Sequence, residues 1–528
     1  MRIIARKVRF KREHTFILGC VVLLFAACGP KKGAETPSGK RTVQYEKKLK
    51  EQGVTDSSIR AAVEGELIFD QALKLNRIGV QVNDAIVTLD GEVTNVLAKR
   101  RAADIAETVR GVRAVVNKIN VEPMEHLSDT AIRENVSQAL VQDSATRRYR
   151  LDVEVDDHVV TLKGNLGSHQ QSLLAEKVAS YVRGVKEVKN EILVTYKKER
   201  SDEQIKAEVE KTLEWNALVD DELIDVNVDD GRVKLSGKVG SLAEKSVASI
   251  DAWVQGVKDV VIDNLEVVDW AADERTRESL YVIKPDSEIR SAVKDALLYD
   301  PRVYGFKITP SVDTGVVTLR GIVDNLKAKQ AAEKTAENTV GVVDVRNRIK
   351  VEMSTPTDEE IENHIETAIK RDPYLKTSDI GYDVSGGVVF LNGIVDTYYE
   401  KGRAQDLASR TYGVIEIVNN LKVVHATRPL VNDPYVDDYR VYGTKWYNYE
   451  PAHTYLADNR IHTQVIYELW WSPFVNVEDI NVRVEDGVVT LRGEANTLKE
   501  WRNAREEAYE GGAVWVKNKI NIVSPKEE

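Results

Sequence analysis

Cysteine is nearly missing from this chain: there are two in 528 residues, Cys20 and Cys28. A disulfide scaffold is therefore excluded, and the fold must stand on packed cores alone. Histidine is also scarce. The seven beyond position 27 (126, 158, 169, 364, 425, 453 and 462) form no His-x3-His or His-Glu-x2-His pair, so the helical zinc patterns are missing. No Gly-x4-Gly-Lys-Ser/Thr stretch occurs, which removes a phosphate-binding loop. Pro (13) and Gly (31) are ordinary for this length, so a low-complexity chain is excluded. Positive charge is in deficit. The formal net charge of −11 has the wrong sign for a general nucleic-acid binder, which needs a basic footprint. These absences predict a chain with no catalytic centre, no cofactor, no metal and no nucleic-acid partner.

What is present begins with a targeting segment. Arg2, Arg6, Lys7, Arg9, Lys11 and Arg12 precede the apolar run Phe16 to Phe25. That run is too short to span a bilayer, which takes about 20 residues. It ends in Phe25-Ala26-Ala27-Cys28, which resembles a bacterial lipobox, and residues 1–27 read as a lipoprotein signal peptide. The resemblance implies that Cys28 is acylated and becomes the first residue of the mature chain. Two or three acyl chains anchor stably where one does not. Removing the first 27 residues (six basic, one acidic) would take the net charge from −11 to −16. Gly29 stands where Asp would signal inner-membrane retention in the enterobacterial sorting rule, so the outer membrane is expected. Residues 28–54 read as a polar, disordered tether. Its basic stretch from Lys31 to Glu51 either lies on anionic headgroups or is a solvated spacer.

One block then returns six times. Each copy has a Val-x-Leu-x-Gly strand, a helix and a second Gly, and five close on Asn-x-Ile-x-Val or a variant with Leu or Ile at one apolar position. The first glycines are Gly91, Gly164, Gly237, Gly321, Gly393 and Gly493; the second are Gly111, Gly184, Gly256, Gly341, Gly413 and Gly512. A residue type that returns in every copy serves the fold, and a repeat has to be recognised before any motif inside it is interpreted. The first glycines fall 73, 73, 84, 72 and 100 residues apart. Modules are thus expected at 55–123, 127–196, 201–268, 284–353, 356–425 and 457–524. Modules 1 to 3 should be closely coupled, and modules 4 and 5 likewise. A linker is expected at 269–283, and an insertion at 426–456.

The fourth copy is the clearest to read. Asp286-Ser287-Glu288-Ile289 looks like a helix start. Ile289, Ala292, Val293, Ala296 and Leu297 recur at helical spacing, and Asp300-Pro301 ends the helix. Lys307 to Val312 is predicted as a strand, Asp313-Thr314-Gly315 as a turn and Val316 to Leu319 as the second strand of a hairpin. Leu326 to Asn338 is predicted as a helix, with Gly341 suited to its left-handed C-cap, and Val343 to Val351 as a third strand. The order is helix, strand, strand, helix, strand. The expected fold class is α+β: a tandem array of small modules, each a three-stranded sheet with helices on one face. Asp156-Asp157, Asp229-Asp230 and Asp313 sit at hairpin turns, where Asp makes local backbone hydrogen bonds. They lack the spaced oxygen ligands of a calcium loop. Copy three has Asp263-Asn264-Leu265, one residue longer than the others, which predicts a bulge or a shifted edge.

The module resembles the BON domain of bacterial osmotically induced periplasmic and nodulation proteins. The likeness rests on the helix-start residues Ile59, Ile132, Ile205, Ile289, Ile361 and Ile461, on the Val-x-Leu-x-Gly strand, on the Gly-Val pair after the second helix, and on the Asn-x-Ile-x-Val close. It implies an envelope protein that binds phospholipid or supports membrane integrity without catalysis. The expected partners are the membrane, through the lipid anchor, then anionic phospholipid and other envelope proteins. A scaffolding role without direct lipid binding is the alternative.

Aromatic residues collect near the end. The insertion carries Tyr435, Tyr439, Tyr442, Trp446, Tyr447, Tyr449 and Tyr455, and module 6 adds Trp470, Trp471, Trp501 and Trp515. Tyr and Trp suit membrane interfaces and contact surfaces. Tyr442, Trp446, Tyr447, Trp470 and Trp471 are the candidate membrane or partner contacts. The competing expectation is that the insertion packs on module 6 and enlarges its core.

Overall fold

The computed structural model describes residues 53–523, apart from 74–75, 126, 197, 269, 272–283, 304–305, 353–355, 376–378, 425–455 and 478–479. Cys28, the signal segment, nearly all of the tether and the aromatic insertion lie outside these residues. Module 1 comprises α1 (Asp56–Phe69), β1 (Arg77–Asn83), β2 (Ile86–Val93), α2 (Val96–Glu107), β3 (Ala114–Asn117) and β4 (Asn120–Val121). Module 2 has α3 (Asp129–Gln142), β5 (Leu151–Asp156), β6 (Val159–Leu166), α4 (His169–Ser180) and β7 (Glu187–Val194). Module 3 has α5 (Asp202–Glu214), β8 (Ile224–Asp229), β9 (Arg232–Val239), α6 (Leu242–Asp251) and β10 (Asp259–Val267).

Module 4 has α7 (Asp286–Tyr299), β11 (Ile308–Asp313), β12 (Val316–Val323), α8 (Leu326–Glu337) and β13 (Asp344–Val351). Module 5 has α9 (Asp358–Arg371), β14 (Ile380–Ser385), β15 (Val388–Val395), α10 (Tyr398–Arg410), β16 (Glu416–Asn419) and β17 (Lys422–Val423). Module 6 has α11 (Asp458–Trp471), β18 (Ile480–Glu485), β19 (Val488–Ala495), α12 (Leu498–Glu510) and β20 (Trp515–Ile522).

The module has the expected α+β order. Its first two strands form an antiparallel hairpin, and the third runs parallel to the second on the other side. Alternation on the central strand explains the core. In β12, Val317, Leu319 and Val323 are buried with Ile289, Val293 and Leu297 of α7 and with Ala328, Ala331, Ala332 and Ala336 of α8. Small residues on α8 let that helix lie close to the sheet. Module 3 carries the expected bulge: the register of β10 on β9 shifts between Val261 and Asn264.

Each hairpin closes with two residues at positive φ, such as Asp84 and Ala85 (52° and 60°) or Thr314 and Gly315 (51° and 73°). This is the tight turn whose twist matches a hairpin. The aspartates in these turns do not supply the local backbone hydrogen bonds expected of them. The turn is held from outside by the first residue of the module's first helix. Asp56 accepts from the N–H groups of Asp84 and Ala85 at 2.9 and 2.8 Å, and Asp286 accepts from Thr314 and Gly315 at 2.8 and 2.9 Å. Asp129, Asp202, Asp358 and Asp458 repeat the contact. Two bonds to one charged carboxylate offset the strain of the non-glycine residues in the turn. In the fourth copy Asp286 is therefore a hairpin clamp rather than a cap; Pro285 holds the cap position, with no side-chain hydrogen bond.

The repeated Asn has an equally local duty. Asn347 donates to the Lys329 carbonyl of α8 (2.8 Å) and accepts from the Ile349 N–H (3.2 Å), tying the third strand to the second helix. Asn117, Asn190, Asn419 and Asn518 do the same. The first glycine of each copy lies at φ between 118° and 158°, and in modules 1 to 5 a Cβ there would meet a backbone carbonyl at the start of the first strand (Arg77, Arg150, Leu223, Lys307 and Asp379). A side chain has no room there. In modules 1 to 5 the second glycine sits against the helix-start Ile: Gly341 faces Ile289, and Gly184 faces Ile132. Gly341 lies three residues beyond the C-cap Asn338 rather than at the C′ position, and its φ of 79° turns the chain into β13.

Candidate interaction surfaces

The modules associate through their helices, in a fixed pattern. The Arg110 N–H donates to the Trp471 carbonyl (3.1 Å), the Arg183 N–H to Arg371 (2.7 Å) and the Val340 N–H to Trp215 (3.0 Å). Each donor precedes the second repeat glycine of its module. Each acceptor closes the first helix of another module. Module 1 thus pairs with 6, 2 with 5, and 3 with 4.

Lateral contacts join the same six units. Within modules 1 to 3 they join the second helices or the turn that follows: Arg100 to Glu176, Gln170 to the Trp253 carbonyl just after α6 (2.8 Å), and Ser246 to Glu107 (3.1 Å). Modules 4 and 5 meet through Lys327 and Asp406 (2.8 Å), and modules 4 and 6 through Glu337 and Arg502. The chain therefore builds two layers of three modules and folds back between the third and the fourth. The layers touch again where Gln71 of module 1 accepts from the Tyr399 N–H and where Arg147 of module 2 pairs with Asp324. The sequence spacing anticipated coupling along the chain; it gave no sign of this return.

The paired interfaces are polar in places where a small core would be apolar. At the 2–5 interface the Arg403 guanidinium is fully buried on Asp372 (2.5 Å) and lies over the Tyr181 ring at 4.1 Å. Arg410 pairs with Asp406 (2.8 Å), reaches Asp143 at 3.5 Å and also covers Tyr181. Burial pushes the Asp143 carboxyl up from its ordinary value although Arg410 pulls it down. At the 3–4 interface, burial pushes Asp251 up to about 7 while its bond from Asn216 opposes the shift.

Trp470 and Trp471 correct an expectation. They are 4% and 6% exposed and pack in one apolar cluster with module 1 residues such as Ile59 and Leu67. Arg110 of module 1 lies over the Trp470 ring at 5.1 Å. These indoles face another module because the end of α11 meets the turn after α2, so they do not offer a membrane contact. Tyr442, Trp446 and Tyr447 lie outside the described residues.

Among the described residues one group has metal-ligand chemistry. Carboxylate oxygens of Glu66, Glu468 and Glu510 lie within 4.8 Å of one another between modules 1 and 6. Burial first, and then Glu507, Glu66, Glu468 and Glu506, push Glu510 well above the ordinary carboxylate range. That favours a held proton. The histidines are dispersed: His169 stacks on Trp253 at 3.9 Å, His158 contacts the Gly184 carbonyl, and burial lowers His169, His364 and His462. An open groove of about 480 Å³ runs between α1 and β1, past Leu67, Ile68, Leu73, Ile78 and Gln81. Among the described residues no helix is long and apolar enough to cross a membrane.

A family model described as the BON domain matches residues 55–123, 128–196, 201–269, 285–353, 357–425 and 457–524. Osmotically-inducible protein Y of Escherichia coli (strain K12) is 33% identical over 143 residues, covering 26% of this chain and 71% of that protein. An uncharacterized protein in the gshII 5' region of Anaplasma centrale is 32% identical over 125 residues, covering 22% of this chain and 83% of that protein. A solved structure of CdsD, a structural protein of the type III secretion system of Chlamydia trachomatis, aligns with 42% of this chain and 98% of its own at 13% identity. Its TM-score of 0.11 is too low for the likeness to carry any argument.

Proposed function

The chain belongs to the BON domain family as a six-module repeat protein related to an osmotically inducible protein, and we propose that it is a non-catalytic, lipid-anchored array that binds phospholipid and supports envelope integrity. The observation that carries this reading is where the repeated residues are used. The six aspartates, the paired glycines and the recurrent asparagines are committed to turns and packing, which leaves the outer surfaces of the modules for contact. In this reading Cys28 supplies the anchor, and Gly29, standing where Asp would signal inner-membrane retention, supports a position on the periplasmic side of the outer membrane. An osmotic-stress role follows from the likeness to the osmotically-inducible protein of Escherichia coli.

Flotation of the full chain carrying Cys28→Ser, so that no acyl chain carries it upward, tests lipid binding. Expected is movement with vesicles containing phosphatidylglycerol. Retention in the dense fraction with every vesicle type would end the phospholipid reading. A second reading is favoured by the back-folded, two-layer packing: a rigid scaffold that links envelope components. It gains if flotation fails while cells lacking the protein still leak periplasmic marker under osmotic shock. Fractionation tests the anchor separately. Cys28→Ser protein should be recovered in the soluble periplasm, and equal membrane retention would remove the anchor.

A further inference from the structure

The outer sheet faces of the six modules share one backbone and differ in charge. In module 4 the exposed side of β12 and β13 presents Arg320, Arg346, Arg348 and Lys350. Lys307, exposed just before β11, continues the set. Of the acids on this face, Asp313 and Asp344 sit at the hairpin end, and Glu352 follows β13 beyond Lys350. At the four cationic positions module 1 has Asp90, Val116, Lys118 and Asn120, module 2 has Lys163, Lys189, Glu191 and Leu193, and module 5 has Asn392, Val418, Asn420 and Lys422. Module 3 has Ser236, Val261, Asn264 and Glu266 by strand register, and only module 6 comes near, with Arg492, Lys517, Lys519 and Asn521. It has Glu494 where module 4 has Ile322.

The arrangement runs against the needs of the fold. Arg320 and Arg348 are direct cross-strand partners, and like charges directly opposite destabilise a sheet. No ion pair relieves them: Arg320 donates only to the Ser311 hydroxyl (3.2 Å). In module 2 the same cross-strand pair is Lys163 and Glu191, and its third strand pairs without a break, so the sheet does not require two cations there. In a chain with net charge −11, five cations gathered within about 10 by 14 Å make a local field of the opposite sign.

We propose that the outer sheet face of module 4 is a docking surface for an anionic phospholipid bilayer, a proposal that rests on the phospholipid reading above and assigns its place. Charge complementarity selects an anionic partner. Ile322 selects a membrane: it is 52% exposed and lies opposite Lys350, with Lys307 at the adjoining end of β11. A purely electrostatic partner would leave that side chain in water. A bilayer takes an apolar side chain below the headgroups that meet the surrounding cations. Three cations together are expected to carry about a 100-fold gain in partitioning at low salt.

The test is flotation of the full chain carrying Cys28→Ser on mixed phosphatidylglycerol–phosphatidylethanolamine vesicles and on phosphatidylcholine vesicles. Three proteins are compared: the parent, the same chain with R320Q/R346Q/R348Q, and a charge-matched control with K118Q/K189Q/K422Q on other modules. Expected is binding of the parent to the anionic vesicles alone, about a 100-fold loss in the module 4 variant, and a loss of less than about threefold in the control. The variant should melt no lower than the parent, since it removes repulsion and no core contact. If the parent floats and the module 4 variant floats equally well, this face is wrong and the phospholipid reading survives. Equal losses in both triple variants also overturn the proposal, because binding is then diffuse. If the parent does not float at all, the phospholipid reading fails and takes the proposal with it.

Discussion

At the centre of the 2–5 interface Ala139 and Ala368 occupy the positions that Glu66 and Glu468 hold in the 1–6 interface. The same correspondence places Arg410 of module 5 against Glu510 of module 6. The backbone contact is common to both pairs. The 2–5 interface leaves a cavity of about 40 Å³ beside Tyr181 and Arg410; Arg410 of module 5 reaches Asp143 of module 2, and Arg403 and Arg410, each paired with a carboxylate of module 5, cover the Tyr181 ring of module 2. The 1–6 interface brings like-charged carboxylates together beside two tryptophans. A repeated module therefore fixes how two copies meet, while a few substituted positions decide whether charge pairing or burial holds them.

The sharpest way to break this contrast is on the charge-paired side. Arg403→Ala leaves Asp372 buried without its cation and uncovers Tyr181 across the interface. Removing one member of a buried pair costs about 3–5 kcal/mol. Urea unfolding should show a loss near the upper part of that range, with modules 2 and 5 separating first in hydrogen exchange. A loss below about 1 kcal/mol would mean that packing, not the guanidinium, holds this pair.

On the apolar side, Trp471→Ala should remove about 3 kcal/mol, the lower end for a buried tryptophan. The indole N–H of Trp471 has no hydrogen-bond partner, so the loss is one of contact and cavity. Trp471→Phe should accordingly recover most of it, read by the same urea midpoint. Failure of Phe to recover would point to shape rather than apolar area.

Inside the modules the expected effect is smaller and scales with the turn residues each copy holds at positive φ. Asp286→Ala deletes two hydrogen bonds to the hairpin turn. The site is only partly buried, so about 1–2 kcal/mol is expected. Because Thr314 is held at a positive φ that Gly tolerates, Thr314→Gly should restore part of the loss, as judged by thermal melting. Asp358→Ala in module 5 should be milder from the start, since Gly386 and Gly387 already occupy its turn.

How much of this was legible in the sequence follows from how local each feature is. Val-x-Leu-x-Gly alternation, the helical spacing of Ile289 to Leu297 and the extra residue near Asn264 act within a few residues, and each appears in the fold as read. The Asp286 clamp was missed because its partners lie 28 and 29 residues away. Its signal was available: an Asp stands at the same place in all six copies, three residues before the helix-start Ile. Reading the turn aspartates as the agents misplaced that role. Trp470 and Trp471 were misread for a deeper reason. Tryptophan at a helix end has the same composition whether it meets lipid or another module, and only the return of module 6 to module 1 decides between them. The charges of the sheet faces were present in the sequence but carried meaning only once β12 and β13 were aligned.

The least effect over a single pH unit is expected at the carboxylates between modules 1 and 6. Burial and the neighbouring Glu507, Glu66, Glu468 and Glu506 raise Glu510 well above its ordinary value of 4.5. An acid raised on folding binds more protons folded than unfolded. Its stabilising contribution is complete below the ordinary carboxylate range and is lost as pH rises from about 4.5 toward the raised value. One carboxylate can change stability by at most about 1.4 kcal/mol per pH unit in that window. Hydrogen exchange of the peptide holding Arg110, whose N–H meets Trp471, should therefore lose protection with rising pH after correction for the intrinsic rate. The peptide holding Arg183 in the 2–5 interface serves as the internal comparison. Glu510→Gln should flatten the Arg110 profile and raise protection at alkaline pH, since an amide fills the site without ionising. A flat profile in the unaltered protein would show that Glu510 ionises freely, and the distinction between the two interfaces would then rest on packing alone.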